Sequence, residues 1–151
     1  MEALPLFKEK EQGFFAVGRE IHFSYGHRLL HHKGKCARLH GHNGRMRIEM
    51  TAAQLDGQGM VIDFYEIQKS IGEWIDKTLD HRMILWESDP LAATLQKAGE
   101  AVVLMKENPT AEALARWIFE EARKMKLPVA RVTLWETENS YASYKKCPAP
   151  F

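Results

Sequence analysis

The sequence offers no basis for a disulfide framework, because its only two cysteines, Cys36 and Cys147, stand far apart in dissimilar settings. Both read as reduced thiols. No run of about eighteen apolar residues occurs, which excludes a membrane-spanning helix, and Met1 to Lys10 lacks the continuous apolar stretch of a secretory signal. The cytoplasm is the expected compartment. An excess of one charge is missing too: 21 Lys and Arg oppose 20 Asp and Glu, a formal net charge of +1. The chain as a whole therefore lacks the electrostatic footprint of a nucleic-acid or membrane binder. Internal repeats and low-complexity tracts do not stand out. What the 151 residues do have is a hydrophobic content of 45%, enough for one ordinary core and too little for two, so residues 1–151 are expected to form a single domain.

Period-two patterning marks the strands. From Phe15 to Phe23 the odd positions are apolar apart from Arg19, and Met46, Ile48, Met50 and Ala52 alternate with Arg45, Arg47, Glu49 and Thr51. A polar loop from Arg28 to Leu39 separates these two strands, and Asp56-Gly57 with Gly59 marks a turn after the second. Asp63 to Thr78 reads as a helix, with Asp63 as N-cap, Glu66 three residues on, and Phe64, Ile67, Ile71, Trp74 and Ile75 at helical spacing. Between Asp80 and Glu107 the periodicity is weaker. A short helix is expected after Asp89-Pro90, and Val102 to Met105 reads equally as an extra strand or as packed loop. Asn108-Pro109 opens a second long helix, with proline at its first position and Leu114, Trp117, Ile118, Ala122 and Met125 as the stripe. A third strand from Val129 to Glu136 and a fourth from Tyr141 to Lys145 complete the order β-β-α-α-β-β.

Histidine is the compositional anomaly: there are seven, and most lie between His27 and His42. His40 and His42 lead into the second strand two residues apart, hence on one face, and His27 follows the first strand. If the two strands pair as a hairpin, three neutral imidazoles meet, leaving a fourth position open as in a catalytic zinc site. His31 and His32 read as solvated loop residues and His22 as a surface or interface residue. Cys36 sits among Lys33, Lys35 and Arg38, cations that favour a thiolate. Its reading stays open between catalytic base or nucleophile, surface cysteine and fourth zinc ligand. Asp80-His81 is either a proton-transfer pair or a surface pair at a helix end. Glu136 keeps the parity of Val132 and Leu134, which would bury a carboxylate in need of a partner unless the strand stops at Trp135.

These residues resemble the family of 6-pyruvoyl-tetrahydropterin and 6-carboxytetrahydropterin synthases over nearly the whole chain. The resemblance rests on Phe23-Ser24-Tyr25-Gly26-His27-Arg28-Leu29, Cys36-Ala37-Arg38-Leu39-His40-Gly41-His42-Asn43, Val61-Ile62-Asp63-Phe64, Leu79-Asp80-His81, Asn108-Pro109-Thr110-Ala111-Glu112 and Trp135-Glu136-Thr137. It implies an α+β tunnelling fold: an antiparallel four-stranded sheet with two helices on one face, trimeric barrels, and two trimers stacked as a hexamer with active sites at subunit interfaces. It also implies zinc on His27, His40 and His42, Cys36 as catalytic base, Asp80 and His81 as the second proton-transfer group, and Glu136 anchoring the pterin, with Thr110 and Glu112 helping at its pocket. The implied substrate is 7,8-dihydroneopterin triphosphate, whose negative charge Arg28, Lys33, Lys35 and Arg38 are placed to attract.

Only three residues separate Cys36 from His40, a spacing similar to the bacterial carboxytetrahydropterin synthases of queuosine and other deazapurine pathways. That favours release of acetaldehyde and triphosphate over pyruvoyl-tetrahydropterin formation, the alternative within the family. The retained Cys36 also argues against the variants in which a glutamate at this position serves folate synthesis. A non-catalytic zinc module closed by Cys36 is the reading from another class, and a zinc hydrolase lacks the H-E-x-x-H helix it would need.

Overall fold

The computed structural model describes residues 13–146, so Cys147 and the segment 1–10 lie outside the described residues. Both expected early strands run further toward each other than their apolar alternation shows. Strand β1 (Phe15–His27) and strand β2 (His40–Ala52) form one antiparallel hairpin in which Phe15 faces Ala52 and His27 faces His40. The parity of β1 continues past Ile21 and Phe23 to Tyr25 and His27, all buried on one face. Met46, Ile48 and Met50 of β2 are fully buried on the same face, each contributing about 1.5–3 kcal/mol of transfer from water.

The helix after the Asp63 cap is α1 (Phe64–Ile67), a π turn over Gln68–Gly72, and α2 (Glu73–Thr78). Asp63 Oδ1 accepts the Tyr65 N–H at 2.8 Å, as an N-cap does. The π turn falls where the Ser70 hydroxyl bonds back to the Glu66 carbonyl, which loosens the ladder, and where Gln68 Oε1 accepts from Arg19 Nε of β1 at 3.0 Å.

The expected four-stranded antiparallel sheet is corrected to a six-stranded mixed sheet of order β4-β3-β1-β2-β5-β6. Strands β1, β2, β5 (Val129–Thr137) and β6 (Ser140–Lys145) pair antiparallel. The segment after α2 adds β3 (Arg82–Trp86) parallel to β1, then α3 (Leu91–Lys97), then β4 (Val102–Met105) parallel to β3. Ile84 and Leu85 are both fully buried. A strand covered on both faces shows no alternation, and α3 supplies the crossover that parallel pairing requires.

Helix α4 (Ala111–Lys124) begins two residues later than expected. Thr110 is the N-cap, its Oγ1 accepting from Ala113 N at 3.1 Å, and Pro109 stands outside the helix. Leu114, Ile118, Phe119 and Ala122 of α4 join Ile67, Ile71 and Ile75 and the inner face of β1, β2 and β5 in one core. The other face is polar, with Glu20 bonded to Arg47 and the Arg45 guanidinium 4.3 Å over the Trp135 ring. Among the described residues no helix is long and apolar enough to cross a membrane.

Candidate metal centre and active site

At the closed end of the β1–β2 hairpin the strands bring three imidazoles together. His27 and His40 are register partners, His42 lies opposite Tyr25, and one ring nitrogen from each histidine lies within 4.8 Å of those of the other two. Two rings are already oriented. His27 Nδ1 donates to the Pro109 carbonyl at 2.7 Å and His40 Nδ1 to the Arg38 carbonyl at 2.8 Å. Those bonds fix the tautomer and leave Nε2 with a free lone pair, the usual arrangement behind a metal-bound histidine. His27 Nε2 and His42 Nε2 are buried with no hydrogen-bond partner, a cost that a bound cation would remove. Burial pushes the His27 imidazole below its usual pKa, although the Pro109 carbonyl and the Glu136 carboxylate pull the other way. The neutral form is the one that ligates. The donor set thus fits a borderline cation such as zinc.

Cys36, in a short 3-10 turn over Lys35–Ala37, lines one cavity of about 490 Å³ together with the three histidines, Thr110, Glu112 and Glu136. It is a free thiol and stands outside the three-histidine group. Glu136 does keep the inner-face parity: its Oε1 accepts from the Tyr25 hydroxyl at 3.1 Å and lies 3.8 Å from His27 Nε2. Burial, and then the nearby Glu136 carboxylate, push the Tyr25 phenol above its usual range, so it acts as a neutral donor. Thr110 has its oxygen engaged as the α4 cap, and Glu112 is exposed in the first turn.

Asp80 and His81 are hydrogen bonded to each other, Asp80 Oδ2 to His81 Nδ1 at 2.7 Å, and neither lines the cavity that holds Cys36. His81 lines a second cavity of about 610 Å³ with Ser24, Asn43, Arg82 and Glu100, and this cavity shares only His40 and His42 with the first. Burial raises the Asp80 pKa, but the Ser24 backbone N–H and His81 outweigh it and hold the carboxyl below its usual range. His81 has φ +55°, left-handed backbone that costs about 1–3 kcal/mol outside glycine and concentrates at functional sites.

Two residues the sequence reading missed belong to this region. Tyr25 continues the β1 parity, a signal that was present. Asn108 bonds Leu30 through both ends of its side-chain amide, at 2.7 and 3.0 Å, with no periodic trace. Arg28, expected to attract phosphate, pairs with the buried Asp89 carboxylate, its Nε 2.6 Å from Oδ2. Lys33, Lys35 and Arg38 are exposed.

The chain is similar to known proteins in sequence and in fold. The family described as 6-pyruvoyl tetrahydropterin synthase matches residues 16–147. A 6-carboxy-5,6,7,8-tetrahydropterin synthase of Rickettsia bellii is 35% identical over 130 residues, 82% of this chain and 94% of that protein. A probable 6-carboxy-5,6,7,8-tetrahydropterin synthase of Halobacterium salinarum is 42% identical over 102 residues, 65% of this chain and 64% of that relative's length. Among solved structures, an uncharacterized protein of Wolinella succinogenes superposes with a TM-score of 0.76 at 25% identity, over 87% of this chain and 98% of its own. The 6-pyruvoyl tetrahydropterin synthase of Caenorhabditis elegans shares the fold, with a TM-score of 0.67 at 24% identity over 90% of this chain and 98% of that one. The chain therefore belongs to the 6-pyruvoyl tetrahydropterin synthase family and is a lyase-type enzyme of it.

Proposed function

We propose that the protein is a zinc-dependent, cytoplasmic 6-carboxy-5,6,7,8-tetrahydropterin synthase acting on 7,8-dihydroneopterin triphosphate, in the supply of queuosine and other deazapurines. The observation that carries this reading is one cavity walled by His27, His40, His42, Cys36 and Glu136. The names of the Rickettsia bellii and Halobacterium salinarum relatives support the carboxy product. The reaction takes up one water, breaks the C–O bond to triphosphate, and breaks one carbon–carbon bond in the substrate's tail to release two carbons as acetaldehyde.

Zinc held by His27, His40 and His42 would supply Lewis-acid polarisation of the oxygens on the substrate's tail. Glu136, steadied by Tyr25, receives the paired N–H groups of the guanidine-like pterin edge. Cys36 exchanges a proton with the tail carbons from the loop side. Asp80 keeps the His81 proton on Nδ1, so Nε2 is the nitrogen that exchanges a second proton. Lys33, Lys35 and Arg38 face the triphosphate. In the proposed hexamer of two stacked trimeric barrels the pair comes from a neighbouring copy, a reading consistent with His81 and Cys36 lining different cavities of one chain. The single domain 1–151 is the repeating unit of that assembly.

The test is incubation of zinc-loaded protein with 7,8-dihydroneopterin triphosphate, followed by mass identification of the pterin product and assay of acetaldehyde. Carboxytetrahydropterin with stoichiometric acetaldehyde supports the reading. Pyruvoyl-tetrahydropterin without acetaldehyde moves the protein to the other branch of the family, and full activity after chelation removes zinc from the proposal. That Cys36 stands outside the histidine group argues against a closed structural zinc site.

A further inference from the structure

The loop that carries Cys36 joins β1 to β2 and has no partner strand. Most of its hydrogen bonds are internal: Leu29 N to Cys36 O at 2.8 Å, His32 N to Leu29 O at 3.1 Å, and Ala37 N to Gly34 O at 3.1 Å. At its far end Arg38 O is held by His40. At its near end two side chains from the 82–110 region grip residues 28–30. Asp89 takes Arg28, and Asn108 takes Leu30.

The Asn108 contact is unusual in form. Its Oδ1 accepts the Leu30 N–H at 2.7 Å while its Nδ2 donates to the Leu30 carbonyl at 3.0 Å. One amide thus engages both backbone groups of a single residue, as a neighbouring strand would. The next residue, Pro109, uses its carbonyl to hold His27 Nδ1 at 2.7 Å. Two consecutive residues therefore grip the thiol loop and one of the three imidazoles, and Leu29 relays the loop grip to the Cys36 carbonyl. We infer that Asn108 is a positioning residue that sets the Cys36 sulfur against the three-histidine centre. This inference rests on the reading of Cys36 as a proton-transfer group, and it gives the segment before α4 a task in the chemistry rather than only in the fold.

Asn108→Ala in the zinc-loaded full-length protein removes both Leu30 bonds and leaves the Pro109 carbonyl in place. Three things are expected: unchanged zinc stoichiometry, KM for 7,8-dihydroneopterin triphosphate within about threefold of wild type, and kcat lower by about 100-fold, the scale of a misplacement near 1 Å. The iodoacetamide alkylation rate at Cys36, located by peptide mass spectrometry, shifts as well, whereas a purely structural role would leave kcat in the folded enzyme unaltered. Wild-type kcat with a wild-type alkylation rate overturns the inference. Loss of zinc in step with activity also overturns it, because Asn108 would then support the ligands and not the sulfur. Asn108→Asp keeps the acceptor and loses the donor, so if the alanine variant does not fold, it must show the same pattern in weaker form or the inference falls. Cys36→Ala separates the two failures: full turnover in that variant ends the catalytic reading of the thiol, while the alkylation rate still decides whether Asn108 places it.

Discussion

Asp89→Asn is expected to weaken the fold by an amount the structure allows to be worked out. The Asp89 carboxylate is 1% exposed and accepts two guanidinium N–H bonds from Arg28, plus the Leu91 N–H at 2.9 Å. Asparagine keeps the shape and one acceptor, but it turns an NH₂ toward a guanidinium that can only donate. One charge-assisted bond is lost, worth about 1.5–3 kcal/mol. Breaking a fully buried ion pair would cost about 3–5 kcal/mol, but Arg28 remains 21% exposed and water can reach it. The net expectation is about 2–3 kcal/mol. For a chain of 151 residues that lowers the thermal midpoint by about 6–9 °C. The pH dependence has a definite sign. The Arg28 bond, opposed by burial, holds the Asp89 carboxyl below its ordinary range. Its contribution is therefore complete above the unfolded value of about 3.9 and fades as pH falls through the lower folded value. Urea unfolding of both proteins should show a gap that is constant from about pH 8 to pH 5 and closes below about pH 4. A midpoint within about 1 °C of wild type at neutral pH would refute the reasoning.

Cys36→Ala should keep zinc stoichiometry and thermal midpoint while abolishing turnover; loss of metal would make the sulfur a ligand. Tyr25→Phe deletes the bond to the Glu136 carboxylate and should cost about 1.5–3 kcal/mol in urea unfolding and raise KM for the pterin; unchanged values for both would show that Glu136 needs no such support. Purified Cys36→Ala and His81→Ala proteins, each inactive, should regain activity when unfolded together and refolded as mixed assemblies, and no recovery would place the whole site in one protomer.

How far the sequence disclosed this site depends on which residues carry a period. His27, His40 and His42 could be placed together because strand parity and a hairpin suffice, and Glu136 followed from the parity of Val132 and Leu134. Helix α4 was legible from its stripe, though its start was not, because a threonine hydroxyl competing for the cap outweighs proline's preference for the first turn. Strand β3 was hidden because Ile84 and Leu85 are buried together, so no alternation exists to read, whereas Val102 to Met105, which read equally as strand or packed loop, is strand β4. The ion pair of Arg28 was illegible for a different reason. Its partner lies 61 positions away, and local charge reveals nothing about a contact made only by the folded protein.

The continuous pairing of β1 with β2 has a consequence for assembly of the site. Slipping that ladder by one rung would turn a whole strand over, sending its imidazoles to the polar side of the sheet while those of the other strand stayed behind. Cation capture is thus possible in only one alignment of the hairpin, and tight zinc retention by freshly refolded protein would report that this alignment had been reached.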